Sequence, residues 1–474
     1  MPQLRPNPRL PAIIRHLCSA AGLLMFTCTA SAAPELNVEP SARHWFAPSS
    51  VRVSGAAPGA RVTLEATFKD LKGVQWTSRG QYYADANGHV DVARMASAVG
   101  TYTGTYKRGL IWSALPATAE TLNTCSATDC LPTSAPPMPA LDTLGPTRIV
   151  YRAKISGTEI LTAKQSVGTP AGTVVRQKVS QGALRGVLYA PTPKQNKPKE
   201  NTAIPSIILV SGSGGGVSDW TAALFAAQGF NVFALAYFNY DGRPDRLAEI
   251  PLEYFRGGID WLRAYSGQER VGLLGGSRGG EAVLLIAATY PEHVAAVVSL
   301  APSNVAWPGC CDAKAAAQAS WTINGKPVPS AAYGFADGEG FDTRETDGTW
   351  RTFFLPGMLE PGDAAIQVEK IDAPIMLISG DADEIWPSSI AAQAIIKRLD
   401  RYAFPHATEW LDFSGAGHML SSPRPVRSGF TQFMHPLSKQ LILPGGAPEI
   451  DAVAIETAFH RQVAFLHRHL KATQ

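Results

Sequence analysis

Val271-Gly-Leu-Leu-Gly-Gly-Ser-Arg-Gly-Gly-Glu-Ala-Val-Leu-Leu-Ile-Ala-Ala288 decides the reading of this chain. A short apolar run reaches Gly275, a glycine-rich turn carries Ser277 at its apex, and an alanine- and leucine-rich run follows at helical spacing. Strand, sharp turn and helix, with Gly-x-Ser-x-Gly at the turn, form a nucleophile elbow. The glycines have a physical task, because strand and helix pass too close for a Cβ at Gly275 and Gly279. The turn pushes Ser277 Oγ into the open. The helix N-terminus behind it offers backbone N–H groups, above all that of Arg278, to an oxyanion. A glycine-rich turn with an incidental serine is the bland alternative, and the flanking strand and helix weigh against it.

Outward from the elbow, strands and helices alternate. Ser206-Ile-Ile-Leu-Val-Ser211 is an unbroken apolar strand, as in a buried parallel sheet. Gly212-Ser-Gly-Gly-Gly216 and a helix from Asp219 follow, then a strand from Phe230. Strands are also expected at Val294–Leu300, Pro374–Ser379 and Ala407–Phe413. The alternation predicts a parallel or mostly parallel sheet with helices on both faces. Residues 301–367 break the pattern and carry an Asn324-Gly325 hairpin turn; they read as an insertion over the sheet's C-terminal edge.

Upstream the texture changes. Between Glu35 and Thr169, short stretches such as Arg61-Val-Thr-Leu-Glu-Ala-Thr-Phe68 alternate apolar and polar residues, with Gly/Pro clusters between them. That spacing predicts an antiparallel β-sandwich. The domains expected are therefore a signal segment over 1–33, a sandwich over 34–172 and a catalytic domain over 173–474.

A serine nucleophile needs a base, and the base needs an orienting carboxylate. In the α/β-hydrolase order both follow the serine, each in a loop just after a strand. His418 stands in such a glycine-rich loop after the last strand. For the acid, Asp381 and Asp383 both follow Pro374–Ser379; Asp383 is placed where the loop has turned back over the sheet. The other carboxylate would then cap or brace the loop. The Gly212–Gly216 loop lacks both the phosphate-loop and the dinucleotide patterns. Its position suits an oxyanion N–H from Ser213 or Gly214 instead. No metal-ligand spacing appears, and no cofactor is expected.

The chain has 474 residues and a formal net charge of +3, all of it matched by Arg5, Arg9 and Arg15. No basic face for nucleic acid is implied. Those arginines precede an apolar stretch, Leu17 to Phe26, and an Ala30-Ser31-Ala32 cleavage pattern, so the N-terminus reads as a secretory signal. The run is short for a membrane span, so no stable span is expected in the mature chain. A periplasmic or secreted protein follows. Four cysteines lie beyond the signal, and the favoured pairing is Cys125 with Cys130 and Cys310 with Cys311.

Leu209-Val-Ser-Gly-Ser-Gly-Gly-Gly216, Ala236-Tyr-Phe-Asn-Tyr240, Leu252-Glu-Tyr-Phe255, the elbow, and Gly415-Ala-Gly-His418 together resemble the acyl-CoA thioesterase and bile acid-CoA:amino acid N-acyltransferase family. Gly109-Leu-Ile-Trp-Ser113 resembles that family's N-terminal domain. The resemblance implies an α/β fold: an α/β-hydrolase domain preceded by an immunoglobulin-like β-sandwich. It places the triad on Ser277, Asp383 and His418, with Trp386 at the family's spacing from the acid. It implies a small-molecule acyl thioester or ester substrate. The serine resembles the family's hydrolases, since acyltransferase members carry cysteine. Arg278 departs from the lysine usual in the thioesterases. An export signal is at odds with acyl-CoA, so an exported esterase or acyltransferase with a non-CoA acyl donor is the alternative.

Overall fold

Eight strands form one mixed sheet in the order Val174–Gln181, Leu184–Pro191, Asn231–Leu235, Ser206–Val210, Val271–Gly276, Val294–Leu300, Ile375–Gly380 and Thr408–Phe413. The first three are antiparallel neighbours. From Asn231–Leu235 onward every pairing is parallel. The computed structural model describes residues 33–39, 44–116, 139–169, 172–192, 204–333, 351–426, 433–439 and 441–470. The signal segment before Ala33, Cys125 and Cys130 lie outside the described residues.

The strand order reverses beside Ser206–Val210. The chain runs outward to Asn231–Leu235, then crosses back to Val271–Gly276 on the other side. The loops leaving the carboxyl ends of Ser206–Val210 and Val271–Gly276 therefore open at a topological switch point, where such sheets hold ligands. Those two loops are the Gly212–Gly216 segment and the elbow.

Alternate residues of each central strand enter different cores, as the period of two requires. Ile207, Leu209, Val232, Ala234 and Leu274 join one core with the helices Asp219–Ala226 and Pro448–His469. Ile208, Val210, Phe233, Leu235 and Leu273 join the other with the helices Leu252–Ser266, Arg278–Thr289 and Ser388–Arg401. Both faces are covered, which is why these strands are apolar throughout.

The N-terminal strands form two antiparallel sheets. One holds Glu35–Glu39, Ser50–Ser54 and Val90–Asp91. The other is built on Arg61–Lys69, flanked by Gln75–Tyr83 and Pro146–Ile155, with Glu159–Gly168 outside. Val62, Leu64, Ala66 and Phe68 point inward in alternation. The Gly109–Leu115 stretch is a short helix, Gly109–Trp112, leading into a two-residue strand. The sandwich does not close on itself. Its core continues into the hydrolase core: Phe46 meets Phe459 with ring centroids 5.1 Å apart, and Trp45 meets Trp220 at 6.4 Å. The fold is that of an α/β hydrolase preceded by a β-sandwich.

The insertion contributes the hairpin Trp321–Ile323 with Lys326–Pro327, turning at Asn324-Gly325. Trp307, Phe354 and Met358 form a small separate core with Trp386. Trp386 belongs to the loop after Ile375–Gly380, so this part of the insertion is fixed to a wall of the site.

Candidate active site

Ser277 has φ 57° and ψ −126°, a conformation that side chains rarely adopt. Strain of this kind costs about 1–3 kcal/mol and is held by the surroundings. Here the Ser277 N–H donates to Leu300 O at 2.9 Å. A β-carbon on Gly279 would run into the carbonyl oxygens of Val210 and Ser211, and one on Gly275 into Gly279 O. The close crossing of strand and helix thus requires both glycines. Arg278 opens the helix, so its N–H has no carbonyl one turn earlier to bond within the helix.

Asp383 and His418 face each other. His418 Nδ1 lies 2.8 Å from Asp383 Oδ2 and 3.0 Å from Oδ1. Both side chains are buried. Asp383 Oδ1 also accepts the N–H groups of Ile385 at 3.0 Å and Trp386 at 3.1 Å, which fixes the carboxylate's direction. The Trp386 ring stands edge-on to His418 at 5.5 Å and donates its Nε1–H to Ala301 O at 3.2 Å. Asp381 is turned elsewhere: it accepts Ser414 Oγ–H at 3.0 Å and Gly415 N–H at 2.6 Å, bracing the loop that carries His418.

Ser277 and His418 line one cleft of about 360 Å³, together with Ser213, Gly214, His435 and Pro436. Among the described residues no hydrogen bond joins Ser277 to His418; such bonds commonly close when substrate binds. The glycine-rich loop turns tightly, with Gly215 N–H donating to Gly212 O at 3.0 Å. Asn239 Nδ2 holds Gly214 O at 2.8 Å. A β-carbon on Gly212 would lie 3.6 Å from Ser277 Cβ, so the loop abuts the elbow. The N–H groups of Ser213 and Gly214 sit at the tip of that turn.

One residue of the site, and the direction taken by the side chain of another, escape the sequence. His435 comes from a segment without periodicity, yet it is buried in the cleft wall with Nε2 2.9 Å from Ser213 Oγ. Burial, aided by Lys439, pulls its pKa down to about 4. Cys310 and Cys311 are joined as a vicinal disulfide, and Cys311 Sγ lies 3.8 Å from His435 Nε2. The second is the Arg278 side chain, which turns away from the cleft into the base of the insertion. Its Nη1 lies 3.0 Å from Glu281 Oε2, and its Nη2 donates to Pro308 O at 2.9 Å and to Ser320 Oγ. Glu281 accepts Trp307 N–H at 3.0 Å and Trp321 Nε1–H at 2.7 Å. Complete burial pushes the Glu281 carboxyl up, with Arg278 pulling against it. This network anchors the elbow helix to the insertion and leaves only the backbone N–H of Arg278 for the cleft.

Among the described residues no cluster of His, Cys, Asp and Glu could hold a metal ion, and no helix is long and apolar enough to cross a membrane.

Residues 47–134 match the N-terminal region of acyl-CoA thioester hydrolase/BAAT, and residues 250–472 match the BAAT/acyl-CoA thioester hydrolase C-terminal region. Acyl-coenzyme A thioesterase 1 of Mus musculus is 29% identical over 439 residues, covering 92% of this chain and 96% of its own. The Homo sapiens acyl-coenzyme A thioesterase 1 is 28% identical, covering 92% and 97%. Peroxisomal succinyl-coenzyme A thioesterase of Mus musculus is 26% identical, covering 93% and 98%. A solved dienelactone hydrolase from Anabaena variabilis ATCC 29413 is similar at 16% identity and a TM-score of 0.35, over 63% of this chain and all of its own. With both regions matched in order, at residues 47–134 and 250–472, and relatives aligned over 92% of the chain, this protein belongs to the acyl-CoA thioester hydrolase/BAAT family.

Proposed function

We propose that this protein is a serine hydrolase that cleaves acyl thioesters through an acyl-serine intermediate. The observation that carries the reading is the His418–Asp383 pair at 2.8 Å, beside the cleft that Ser277 also lines. The relatives are named for acting on acyl-coenzyme A, and one for succinyl-coenzyme A, which favours an acyl-CoA.

Asp383 takes the Nδ1–H of His418 and leaves Nε2 free to accept the Ser277 proton. Ser277 Oγ attacks the thioester carbonyl carbon. The oxygen that gains charge is met by the N–H of Arg278 and that of Ser213 or Gly214. Collapse breaks the carbon–sulfur bond, and the leaving thiolate takes the proton from His418. Water then enters, gives a proton to His418 and splits the acyl-serine, releasing the acid and restoring Ser277. The mechanism uses no cofactor.

The test is hydrolysis of an acyl-CoA series and of simple aryl esters by the purified protein, set against Ser277→Ala. Thioester turnover lost in the variant is expected. Turnover at wild-type rate in Ser277→Ala would remove the reading.

A second reading is favoured by the signal-like N-terminus: an exported esterase or acyltransferase, periplasmic or secreted, with a non-CoA acyl donor. Amine acceptors that divert product from free acid to amide would select the acyltransferase; preference for aryl esters over every acyl-CoA would select the esterase.

A further inference from the structure

We propose that the Ser213 hydroxyl is a further hydrogen-bond donor to the reacting carbonyl oxygen, and that His435 is the positioning residue that turns it there. The inference rests on the serine-hydrolase reading above.

Backbone contacts decide which ring nitrogen of His435 carries its proton. Its Nδ1 accepts two backbone N–H groups, from Ser438 at 3.1 Å and from Leu437 at 3.3 Å. A nitrogen that receives hydrogens from two donors carries none of its own. A neutral imidazole then has its proton on Nε2. The ring stays neutral at ordinary pH, because burial and Lys439 oppose a second proton.

Nε2 faces Ser213 Oγ at 2.9 Å and Cys311 Sγ at 3.8 Å. The sulfur is bridged to Cys310 and has no hydrogen to give. The short contact is therefore Nε2–H donating to Ser213 Oγ. This also bars His435 from acting as a second base, since the nitrogen nearest the cleft is already protonated.

A hydroxyl that accepts from His435 has its own hydrogen left to direct. Among the described residues no acceptor takes that hydrogen. Ser213 lines the cleft with Ser277, and its neighbour Gly212 abuts the elbow. The chain Nε2–H to Oγ–H to carbonyl oxygen polarises the hydroxyl and strengthens its donation. No bond to Ser213 or His435 forms or breaks; the oxyanion gains one hydrogen bond and loses it on collapse.

The experiment uses butyryl-CoA and p-nitrophenyl butyrate as substrates and a trifluoromethyl ketone as a mimic of the tetrahedral species. Ser213→Ala is expected to lower kcat roughly 10²-fold with KM within about two-fold, and to weaken the ketone by the same factor. Ser213→Thr, which keeps the hydroxyl, should stay within about five-fold of wild type on the same reasoning. His435→Ala should lower kcat in the same sense, and His435→Gln, which can present an N–H at the Nε2 position, should restore part of it. The Ser213→Ala/His435→Ala double variant should be no slower than Ser213→Ala alone, because both act through one hydrogen. A Ser213→Ala kcat within two-fold of wild type, a loss carried by KM alone, or additive losses in the double variant would overturn the proposal. Failure of the underlying reading shows separately: Ser277→Ala would retain turnover, and a fluorophosphonate would leave wild-type Ser277 unlabelled.

Discussion

Asp383 Oδ2 stands 2.8 Å from His418 Nδ1, while Asp381, two residues upstream, bonds Ser414 and Gly415 instead. One turn of loop gives two carboxylates different tasks. Asp383→Asn should therefore lower kcat by roughly 10³–10⁴, through loss of charge and of the correct tautomer. Asp381→Asn should change kcat by less than about ten-fold and cost roughly 1 kcal/mol of stability, the worth of an ordinary hydrogen bond. Steady-state kinetics with urea melts on both variants check this; a reversed ranking would reassign the orienting acid.

Ser277→Ala should abolish turnover down to the residue left by binding and the oxyanion donors. The backbone of the elbow is held by Leu300 O and by the packed glycines, not by the hydroxyl. The variant should therefore melt within a few degrees of wild type, about what 1 kcal/mol produces in a chain of this size. Calorimetry and a thioester assay on one preparation decide it.

Arg278→Met should destabilise the protein by about 3–5 kcal/mol, because it leaves the buried Glu281 carboxyl without its cation, either to hold an unpaired charge or to take up a proton. The double variant Arg278→Met/Glu281→Gln should recover much of that loss, since the neutral amide carries no buried charge and keeps an acceptor for Trp307 N–H and Trp321 Nε1–H. Denaturant midpoints for the two proteins measure the difference. Equal losses would mean that the ion pair is not what holds the elbow helix to the insertion.

The N-terminus should be removed near Ala32 or Ala33 on export, and Cys125 should pair with Cys130 in the oxidising compartment. The checks are the N-terminal mass of the exported protein and a thiol titration after denaturation. An intact N-terminus on soluble cytoplasmic protein, with all four remaining cysteines titrating, would contradict both.

Much of the site could be read from the chain because the elbow makes local demands. Gly275 and Gly279 must lack side chains, and the order of serine, acid and histidine follows from the strand order. What could not be read depends on contacts between distant segments. Asp383 could be chosen over Asp381 from the loop, but the partners that engage Asp381, Ser414 and Gly415, lie more than thirty residues away and could not. His435 reaches Ser213 across more than two hundred residues of sequence, with no pattern to announce it. Arg278 reads as an oxyanion neighbour, but its side chain is committed to carbonyls of the insertion. Apolar alternation in the sandwich predicts a buried face without saying what buries it.

That buried face bears on how the chain unfolds. Phe46 and Trp45 lie in the same core as Phe459 and Trp220, and Pro34–Gln474 cluster as one unit. The seam between the two β-rich and α/β parts is filled with side chains, so neither half has a finished surface of its own. Heat should melt them together in a single cooperative transition. A cut placed between Gly168 and Val174 would yield two fragments that need each other to stay soluble, and mixing the two would restore the enzyme where neither alone could.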